Sequence, residues 1–187
     1  MAKARAARAL ARNQSQSHLD KREDIVRTAT ALFLESGYEV TSIQRIAAEV
    51  EVAPNTLYWY FEDKDALLIG VLDSLLAQSL AEYQQRKKTS LEAQLLWLVD
   101  HFSSLQKLIA TVHSRIATSD SLRTWHDGFH RLLEAIIEEQ LRTQGLARGH
   151  EAYAAKATMF VVEGLLAHEV GAAERRKLVK WLVSVAR

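Results

Sequence analysis

The chain has 187 residues, with 24 Lys and Arg against 23 Asp and Glu, 48% hydrophobic residues and no cysteine. This composition is typical of a folded globular protein of one or two domains and excludes wholesale disorder. The absence of cysteine excludes disulfides, thiolate zinc sites, iron–sulfur clusters and cysteine nucleophiles. A single Pro and seven Gly provide few tight turns for β-hairpins, so the composition favours an all-α fold.

Residues 1–19 form a basic N-terminal arm without an acidic residue. Arg5, Arg8 and Arg12 are three and four residues apart, so a helix would place them on one face, where they could contact phosphates. Organellar transit peptides and solvated tails have a similar composition. No run approaches the roughly 18 apolar residues of a membrane span, and the arm lacks the apolar segment of a secretory signal. We therefore expect a cytoplasmic protein with no membrane partner.

Apolar residues at helical spacing predict eight helices and no sheet. The first covers about residues 20–36 and ends at Gly37, which suits the left-handed position after a helix. Thr41 or Ser42 caps a second, short helix, and Pro54 begins a third. Five longer helices are predicted at about residues 64–87, 91–116, 120–143, 150–170 and 173–186.

Residues 41–61 consist of two short predicted helices separated by Glu51, Val52 and Ala53. This is the arrangement of a helix-turn-helix, whose second helix enters the major groove of DNA. The hydrogen-bonding side chains that such a helix needs are those of Asn55, Thr56, Tyr58 and Tyr60. The alternative is that the aromatic residues of this segment form a corner of the core, because short helix pairs are common in helical bundles.

A dense pattern runs from Asp24 to Leu68. It consists of Asp24-Ile25-Val26, Ala29, Leu32-Phe33, Gly37-Tyr38, Thr41-Ser42-Ile43, Ile46-Ala47, Val52-Ala53, Thr56-Leu57-Tyr58-Trp59-Tyr60-Phe61, Lys64 and Leu67-Leu68. This pattern resembles the TetR family of transcriptional regulators. The resemblance implies an all-α homodimer with a three-helix, helix-turn-helix DNA-binding domain at residues 20–65 and a helical effector-binding and dimerisation domain at residues 66–187. It also implies sequence-specific regulation of transcription, most commonly as a repressor that a small-molecule effector releases from a palindromic operator in double-stranded DNA.

The resemblance also assigns individual DNA contacts. Phosphate, base or backbone contacts fall on Thr41, Ser42, Gln44, Arg45, Pro54, Asn55, Thr56, Tyr58, Tyr60 and Lys64. Leu57 and Phe61 match core positions, and we expect Trp59 to pack against its own domain rather than to contact bases.

The helix-turn-helix segment departs from the family in its turn and is itself acidic. Glu51 stands where the family has Gly, and a positive φ there would cost a non-glycine residue about 1 kcal/mol. Residues 23–65 carry nine acidic and three basic residues. We therefore expect the N-terminal arm to supply much of the electrostatic attraction for DNA.

A second stripe on the predicted fifth helix is too polar and aromatic for a simple core. It consists of Gln94, Trp97, His101, Ser104, Leu108, Thr111 and Arg115. We predict an effector pocket for an aromatic or anionic lipophilic molecule, lined by Trp97, His101, Thr111, Arg115, Trp125, His126, Phe129, His130 and Phe160. The alternative is that the aromatic residues fill the core and the histidines lie at its rim.

Metal and catalytic sites are not predicted. His126 and His130 are one helical turn apart and could share a metal ion with His101, His113 or His168. Because no cysteine or carboxylate pattern accompanies them, we assign no metal and no cofactor to the chain. The sequence lacks a P-loop, a Gly-rich phosphate cradle and a Ser–His–acid pattern, so no enzymatic activity is expected.

The last two predicted helices have apolar faces that one chain alone would leave partly uncovered. The predicted dimer contacts are Ala157, Gly164, Leu165, His168, Leu178, Trp181, Leu182 and Val185. A two-fold contact would place two recognition helices about one turn of DNA, ~34 Å, apart or somewhat more, which predicts a palindromic operator. An architectural or ligand-independent DNA-binding protein on the same fold is the alternative function.

Overall fold

The computed structural model describes residues 2–168 and 170–187, with side chains from residue 18 onward. Within these residues the chain forms nine helices and no strand, which confirms the predicted all-α fold. The helices are α1 (Ala2–Ser36), α2 (Ile43–Glu49), α3 (Pro54–Tyr60), α4 (Lys64–Arg86), α5 (Leu91–Ser103), α6 (Gln106–Arg115), α7 (Asp120–Thr143), α8 (Glu151–Ala167) and α9 (Ala172–Val185). They form two compact units, Met1–Leu75 and Leu76–Arg187.

The core of the first unit includes the first half of α4. Buried residues from α1, α2 and α3 include Ile25, Phe33, Ile46 and Leu57. Leu67, Leu68 and Val71 of α4 are also fully buried, and Gly70 lies against Phe61 and Val26. The unit therefore ends at Leu75 rather than at the predicted boundary after residue 65, because burial of this part of α4 completes the core.

Local capping sets the helix boundaries of the first unit where the sequence predicts them. Ser42 Oγ accepts a hydrogen bond from the Arg45 N–H at 3.1 Å and begins α2. Pro54 lies in the first turn of α3, and Asp63 Oδ1 accepts from the Ala66 N–H at 2.7 Å at the start of α4. Gly37 has a φ of +92°, the left-handed conformation that glycine adopts after a helix.

The first helix is longer than predicted. It begins at Ala2 rather than near residue 20, so the backbone of the N-terminal arm continues directly into α1. The side chains of Arg5, Arg8 and Arg12 lie outside the described residues, and their DNA contacts stay predictions.

The core of the second unit is formed by α5, α7, α8 and α9. Its buried residues are Leu91, Leu95, Val99, Leu133, Ile137, Leu141, Ala155, Met159, Val162, Leu165, Val179 and Val183. The prediction that Leu165 lies at the dimer interface is therefore wrong. Leu165 follows Phe160 by five residues, which on a helix places the two side chains on nearly opposite sides.

The predicted fifth helix is in fact two helices. Ser103 Oγ donates to the Val99 carbonyl at 2.7 Å, and Ser104 Oγ donates to the His101 carbonyl at 2.8 Å. Serine side chains that bond to the preceding turn compete with the helical backbone pattern. The Leu105 N–H accordingly donates to the Phe102 carbonyl, three residues back. The polar and aromatic stripe predicted on one helix is therefore divided between α5 and α6.

Among the described residues, α4 is the one helix long and apolar enough to cross a membrane by length and composition. Of its most apolar window, 33% is buried inside the structure, and core helices of soluble proteins satisfy the same test. The buried Leu67, Leu68 and Val71 show that α4 serves as a core helix here.

We expect the Gly70→Ala variant to unfold at a lower temperature than the wild type. An added Cβ would lie 2.9 Å from Phe61 Cε1 and 3.4 Å from Val26 Cγ2, and both of these side chains are buried. Overpacking of this kind costs about 1–3 kcal/mol, against a gain of about 1 kcal/mol from replacing Gly by Ala in a helix. The free energy of unfolding should therefore fall by up to about 2 kcal/mol, and differential scanning calorimetry would detect the lower unfolding temperature.

Gly128→Ala is the matched control. Gly128 lies within α7, and an added Cβ there meets nothing within 4 Å. The free energy of unfolding of this variant should rise by about 0.5–1 kcal/mol, because Ala favours the helix more than Gly does and no clash opposes it. A gain in both variants would show that the first unit accommodates the methyl group without a clash.

Candidate functional site

The helix α3 has a buried side and an exposed side. Leu57 is buried in the core of the first unit, as predicted, and Phe61 just beyond the helix is also buried. Asn55, Tyr58 and Trp59 are exposed. Their exposed side combines hydrogen-bonding groups with two aromatic rings, the chemistry by which proteins contact phosphates and base edges.

The prediction that Trp59 packs against its own domain is wrong, since its side chain is 88% exposed. Leu57 lies on the buried side of the helix. Trp59 follows Leu57 by two residues, about 200° around the helix, and therefore points away from the core. Helical spacing alone contained this signal, although the prediction did not use it.

The residues around α2 divide between structural and exposed positions. Ser42, Gln44 and Arg45 are exposed, which is compatible with their predicted DNA contacts. Thr41 is fully buried, and its hydroxyl donates to the Gly37 carbonyl at 2.8 Å. The structure therefore corrects the prediction for Thr41, because this side chain holds the loop before α2 and Ser42 alone caps the helix.

Thr56, Tyr60 and Lys64 are half-buried. The Tyr60 hydroxyl lies 3.3 Å from His18 Nδ1, and Lys64 Nζ lies 4.0 Å from the centre of the Tyr38 ring in a cation–π contact. The ammonium group of Lys64 thus has a defined position at the start of α4. The contacts of these three residues with DNA stay predictions, as do those of Pro54 and Asn55.

The turn between α2 and α3 has the strain that the sequence predicts. Glu51 has a φ of +54° and is exposed. The turn is closed by backbone hydrogen bonds from Glu51 N–H to Ala48 O at 3.2 Å and from Val52 N–H to Ala47 O at 3.0 Å. A side chain in this conformation costs about 1–2 kcal/mol relative to glycine.

Glu51→Gly should therefore stabilise the protein by about 1 kcal/mol, which is the strain less the extra entropy that glycine loses on folding. Urea denaturation followed by circular dichroism measures the change. Glu51→Ala removes the same carboxylate but keeps the strained φ. Equal stabilisation by Ala and Gly would mean that charge, rather than backbone strain, sets the effect.

The second unit contains a cavity among the end of α4, α5 and α7. Its internal space of about 40 Å³ corresponds to about three water molecules. The lining residues are Leu76, Ser79, Leu80, Tyr83, Leu91, Gln94, Leu95, Trp97, Leu98, Phe102, Leu133, Ile136, Ile137 and Gln140. The cavity is therefore mostly apolar, with a few polar groups.

The polar groups of the cavity form a connected set. The Tyr83 hydroxyl donates to Gln94 Oε1 at 3.1 Å, and Gln94 Nε2 donates to Gln140 Oε1 at 2.9 Å. Burial raises the pKa of Tyr83, so its hydroxyl stays protonated and available as a donor at neutral pH. The arrangement could orient the polar end of an apolar ligand.

Of the nine residues predicted to line an effector pocket, only Trp97 lines this cavity. His101 stacks on Trp97 with the ring centres 4.9 Å apart, and its Nε2 lies 2.8 Å from Ser79 Oγ. Trp125 stacks on Phe129, which packs against the core of the second unit. The others that do not line the cavity are Thr111 and Arg115 on α6, His126 and His130 on α7, and Phe160 on α8.

Eight of the nine predicted residues lie outside the cavity lining for two reasons. The break between α5 and α6 removes Thr111 and Arg115 from the helix that carries Trp97. The residues that do line the cavity, such as Leu80, Leu98 and Ile136, have the spacing of ordinary core positions. The sequence therefore contains no signal that separates them from the core.

His126 and His130 instead lie with His113 of α6 and Glu163 of α8. The potential ligand atoms of these four side chains are all within 4.8 Å of one another. His130 Nε2 is 3.0 Å from Glu163 Oε1. Burial lowers the pKa of His126, and the neighbouring His130 and His113 lower it further, which favours the neutral imidazole.

Exposed apolar side chains lie on α8 and on α9, and together they are called the apolar face below. On α8, Tyr153 is 80% and Phe160 is 63% exposed, with Ala157 and Gly164 on the same side of the helix. On α9, the exposed members are Leu178, Trp181 and Val185. Phe160, predicted in the pocket, belongs to this face. Of the other predicted interface residues, His168 is exposed, and Leu182 is half-buried and packs on the core.

Residues 25–71 match the family described as "Bacterial regulatory proteins, tetR family". A 57-residue segment is 42% identical to the HTH-type transcriptional regulator HbdR of Aromatoleum sp. (strain CIB), covering 30% of this chain and 25% of that regulator. The aligned segment thus spans about a quarter of that relative's length.

Two further matches extend beyond the helix-turn-helix. The "Fatty acid metabolism regulator protein" of Bacillus subtilis (strain 168) is 25% identical over 151 residues, covering 73% of this chain and 76% of that protein. The crystal structure of the transcriptional regulator FadR from Bacillus subtilis in complex with stearoyl-CoA has a TM-score of 0.62 and 20% identity, covering 87% of this chain and 97% of that chain. Residues 25–71, with their exposed α3, therefore form a helix-turn-helix unit that matches the TetR family, and the longer matches show that most of the chain is similar to a transcriptional regulator.

Proposed function

We propose that the chain is a cytoplasmic, homodimeric repressor that binds a palindromic operator and leaves it when a small lipophilic effector binds the second unit. The observation that carries the proposal is the exposed side of α3, where Asn55, Tyr58 and Trp59 stand clear of the core. Helix-turn-helix proteins read base edges with the corresponding helix.

The DNA-binding surface combines α3 with exposed groups of α2 and the basic arm. Ser42, Gln44 and Arg45 provide donors at the start of α2, where phosphates bind readily because backbone N–H groups point outward. The arm contributes Arg5, Arg8 and Arg12, whereas residues 23–65 carry nine acidic and three basic residues. Phosphate neutralisation by such groups supplies sequence-independent affinity.

The cavity of the second unit supports a lipophilic effector with a polar end. Its lining is mostly leucine and isoleucine, and Tyr83, Gln94 and Gln140 supply the polar groups. The related FadR is described in complex with stearoyl-CoA, a ligand with a long apolar chain. Because the space in this chain is about 40 Å³, an effector of that class must displace side chains as it enters.

Displacement of the lining provides a route to release from DNA. The helix α4 contributes Leu76, Ser79 and Tyr83 to the cavity or its rim and Leu67 and Leu68 to the core of the first unit. A ligand that moves α4 would change the energetics of the DNA-binding unit. By linkage, DNA must weaken the binding of such an effector by the same factor.

The apolar face of α8 and α9 supports a homodimer. Tyr153, Phe160 and Trp181 are large side chains whose exposure to water is unfavourable, and aromatic residues are enriched in the centres of protein interfaces. Gly164 and Ala157 would permit close helix approach. Two copies related by a two-fold axis would present two α3 helices to two half-sites.

Selection of random duplex DNA by the purified protein, followed by sequencing, tests the proposal. Enrichment of a palindrome is the expected result, and the enriched duplex then serves as the probe in a screen of fatty acids, acyl-CoA thioesters and aromatic acids. An effector should lower operator affinity and raise the thermal unfolding midpoint of the free protein. The Asn55→Ala variant is the control for non-specific enrichment.

Two outcomes would contradict the proposal. Binding at low salt without an enriched sequence would indicate an architectural DNA-binding protein. A palindrome whose affinity no member of the screen changes would contradict control by a lipophilic effector.

A further inference from the structure

Four side chains on three helices of the second unit converge at a point outside the cavity lining. His113 lies on α6, His126 and His130 on α7, and Glu163 on α8, and their potential ligand atoms are within 4.8 Å of one another. We propose that this cluster binds one divalent transition-metal ion, with Zn²⁺ the best match to its donors. The proposal concerns the second unit alone and does not depend on DNA binding.

The donor set suits such an ion. Three imidazole nitrogens and one carboxylate oxygen are ligands that Zn²⁺ takes in proteins, whereas Mg²⁺ and Ca²⁺ prefer oxygen ligands. Bonds of about 2.0–2.1 Å place the ligand atoms of a tetrahedral ion about 3.3 Å apart. His130 Nε2 is 3.0 Å and His113 Nε2 is 3.9 Å from Glu163 Oε1. Small side-chain rotations would therefore complete the tetrahedron.

His126 provides independent support for a ligand. Its Nε2 atom is buried and has no hydrogen-bond partner among the described residues. An unsatisfied buried polar atom is unfavourable, because it has lost its hydrogen bonds to water and gained none in the protein. The other ring nitrogen, Nδ1, lies 3.7 Å from the Asp127 carboxylate, which favours a proton on that nitrogen. The lone pair of Nε2 is then free to bind a metal, as in carboxylate–histidine–zinc arrangements.

An ordinary ion pair accounts for only part of the cluster. Glu163 can balance the charge of one protonated imidazole, but three rings are present. The ring centres of His126 and His130 are 4.2 Å apart, and those of His113 and His126 are 5.1 Å apart. A divalent cation accepts all three lone pairs and also compensates the carboxylate.

The position of the cluster gives the ion access and a structural consequence. His113 is exposed, so the ion can enter from solvent. A bound ion would link α6 to α7 and α8. It would thereby hold together helices that are separate along the chain. Metal binding should therefore raise the stability of the second unit.

Zn²⁺ titration of the full-length, metal-free protein by isothermal calorimetry tests the proposal, with elemental analysis after dialysis to give the stoichiometry. We expect one ion per chain. His126→Ala and Glu163→Gln should each weaken binding by at least about 10- to 100-fold, the range found even for outer-shell changes. His150→Ala removes an exposed histidine outside the cluster and should bind as the wild type does.

Co²⁺ provides a second readout that does not depend on affinity. A four-coordinate site gives intense visible absorption bands, whereas cobalt held loosely by surface groups keeps the weak bands of the six-coordinate ion. The intense bands should appear in the wild type and change in position and intensity in Glu163→Gln, a conservative change at a half-buried position that replaces one ligand of the ion. Absence of stoichiometric Zn²⁺ binding by the wild type, or wild-type binding by both cluster variants, would overturn the proposal. Operator binding is measured separately, so such a result would leave the proposed DNA-binding function intact.

Discussion

Trp59→Ala is expected to lower the affinity of the protein for its selected operator at least thirtyfold. Loss of recognition at one base pair costs about 1–3 kcal/mol, and the proposed dimer would lose it in both half-sites, so the expected loss is about 2–6 kcal/mol. The side chain is 88% exposed in the free protein, and its removal should leave the thermal unfolding midpoint unchanged. Fluorescence anisotropy with labelled operator measures the affinity.

The salt dependence of operator affinity distinguishes a base contact by Trp59 from electrostatic attraction to phosphates. Trp59 is uncharged, so its removal should leave the slope of log affinity against log salt unchanged. Arg45→Ala removes an exposed cation at the proposed DNA surface and should reduce the magnitude of that slope by about 0.9 for each phosphate that is no longer neutralised. Trp59→Phe keeps an aromatic ring and should retain part of the affinity. If Trp59→Ala binds the operator as well as the wild type does, α3 does not read DNA through this residue.

Trp181→Glu is expected to convert the proposed dimer to a folded monomer. Trp181 is 61% exposed on α9 and lies on the apolar face defined by Tyr153, Ala157, Phe160, Gly164, Leu178, Trp181 and Val185. Truncation of an interface Trp costs about 2 kcal/mol or more, and a two-fold interface contains two copies. The dimer dissociation constant should rise at least about a thousandfold, which sedimentation equilibrium measures.

Lys180→Glu is the matched control for this variant. It introduces the same acid on α9, one residue earlier, where the helix turns the exposed side chain away from the apolar face. The control should stay dimeric, whereas Trp181→Glu should also lose operator affinity because each monomer reaches one half-site only. A Trp181→Glu variant that sediments as a dimer at micromolar concentration would place the interface elsewhere.

The sequence by itself determined the architecture of the DNA-binding unit, because its determinants are local. Ser42, Pro54 and Asp63 mark the starts of three helices through capping and proline geometry. Gly37 marks the end of the first helix, and the positive φ of Glu51 follows from its place in the turn. Helical spacing also predicts the exposure of Trp59, because Trp59 lies about 200° around the helix from the core residue Leu57.

Only the tertiary structure decided the sites of the second unit, because each one joins side chains from separate helices. Helical spacing shows which residues share a face, but it does not show which faces meet. Phe160 and Leu165 both have the character of interior residues, yet Phe160 is exposed and Leu165 is buried. Likewise, His126 and His130 are one turn apart in sequence, whereas His113 and Glu163 join them only because α6 and α8 pack beside α7. Such convergence depends on packing between helices distant along the chain, which local propensity does not encode.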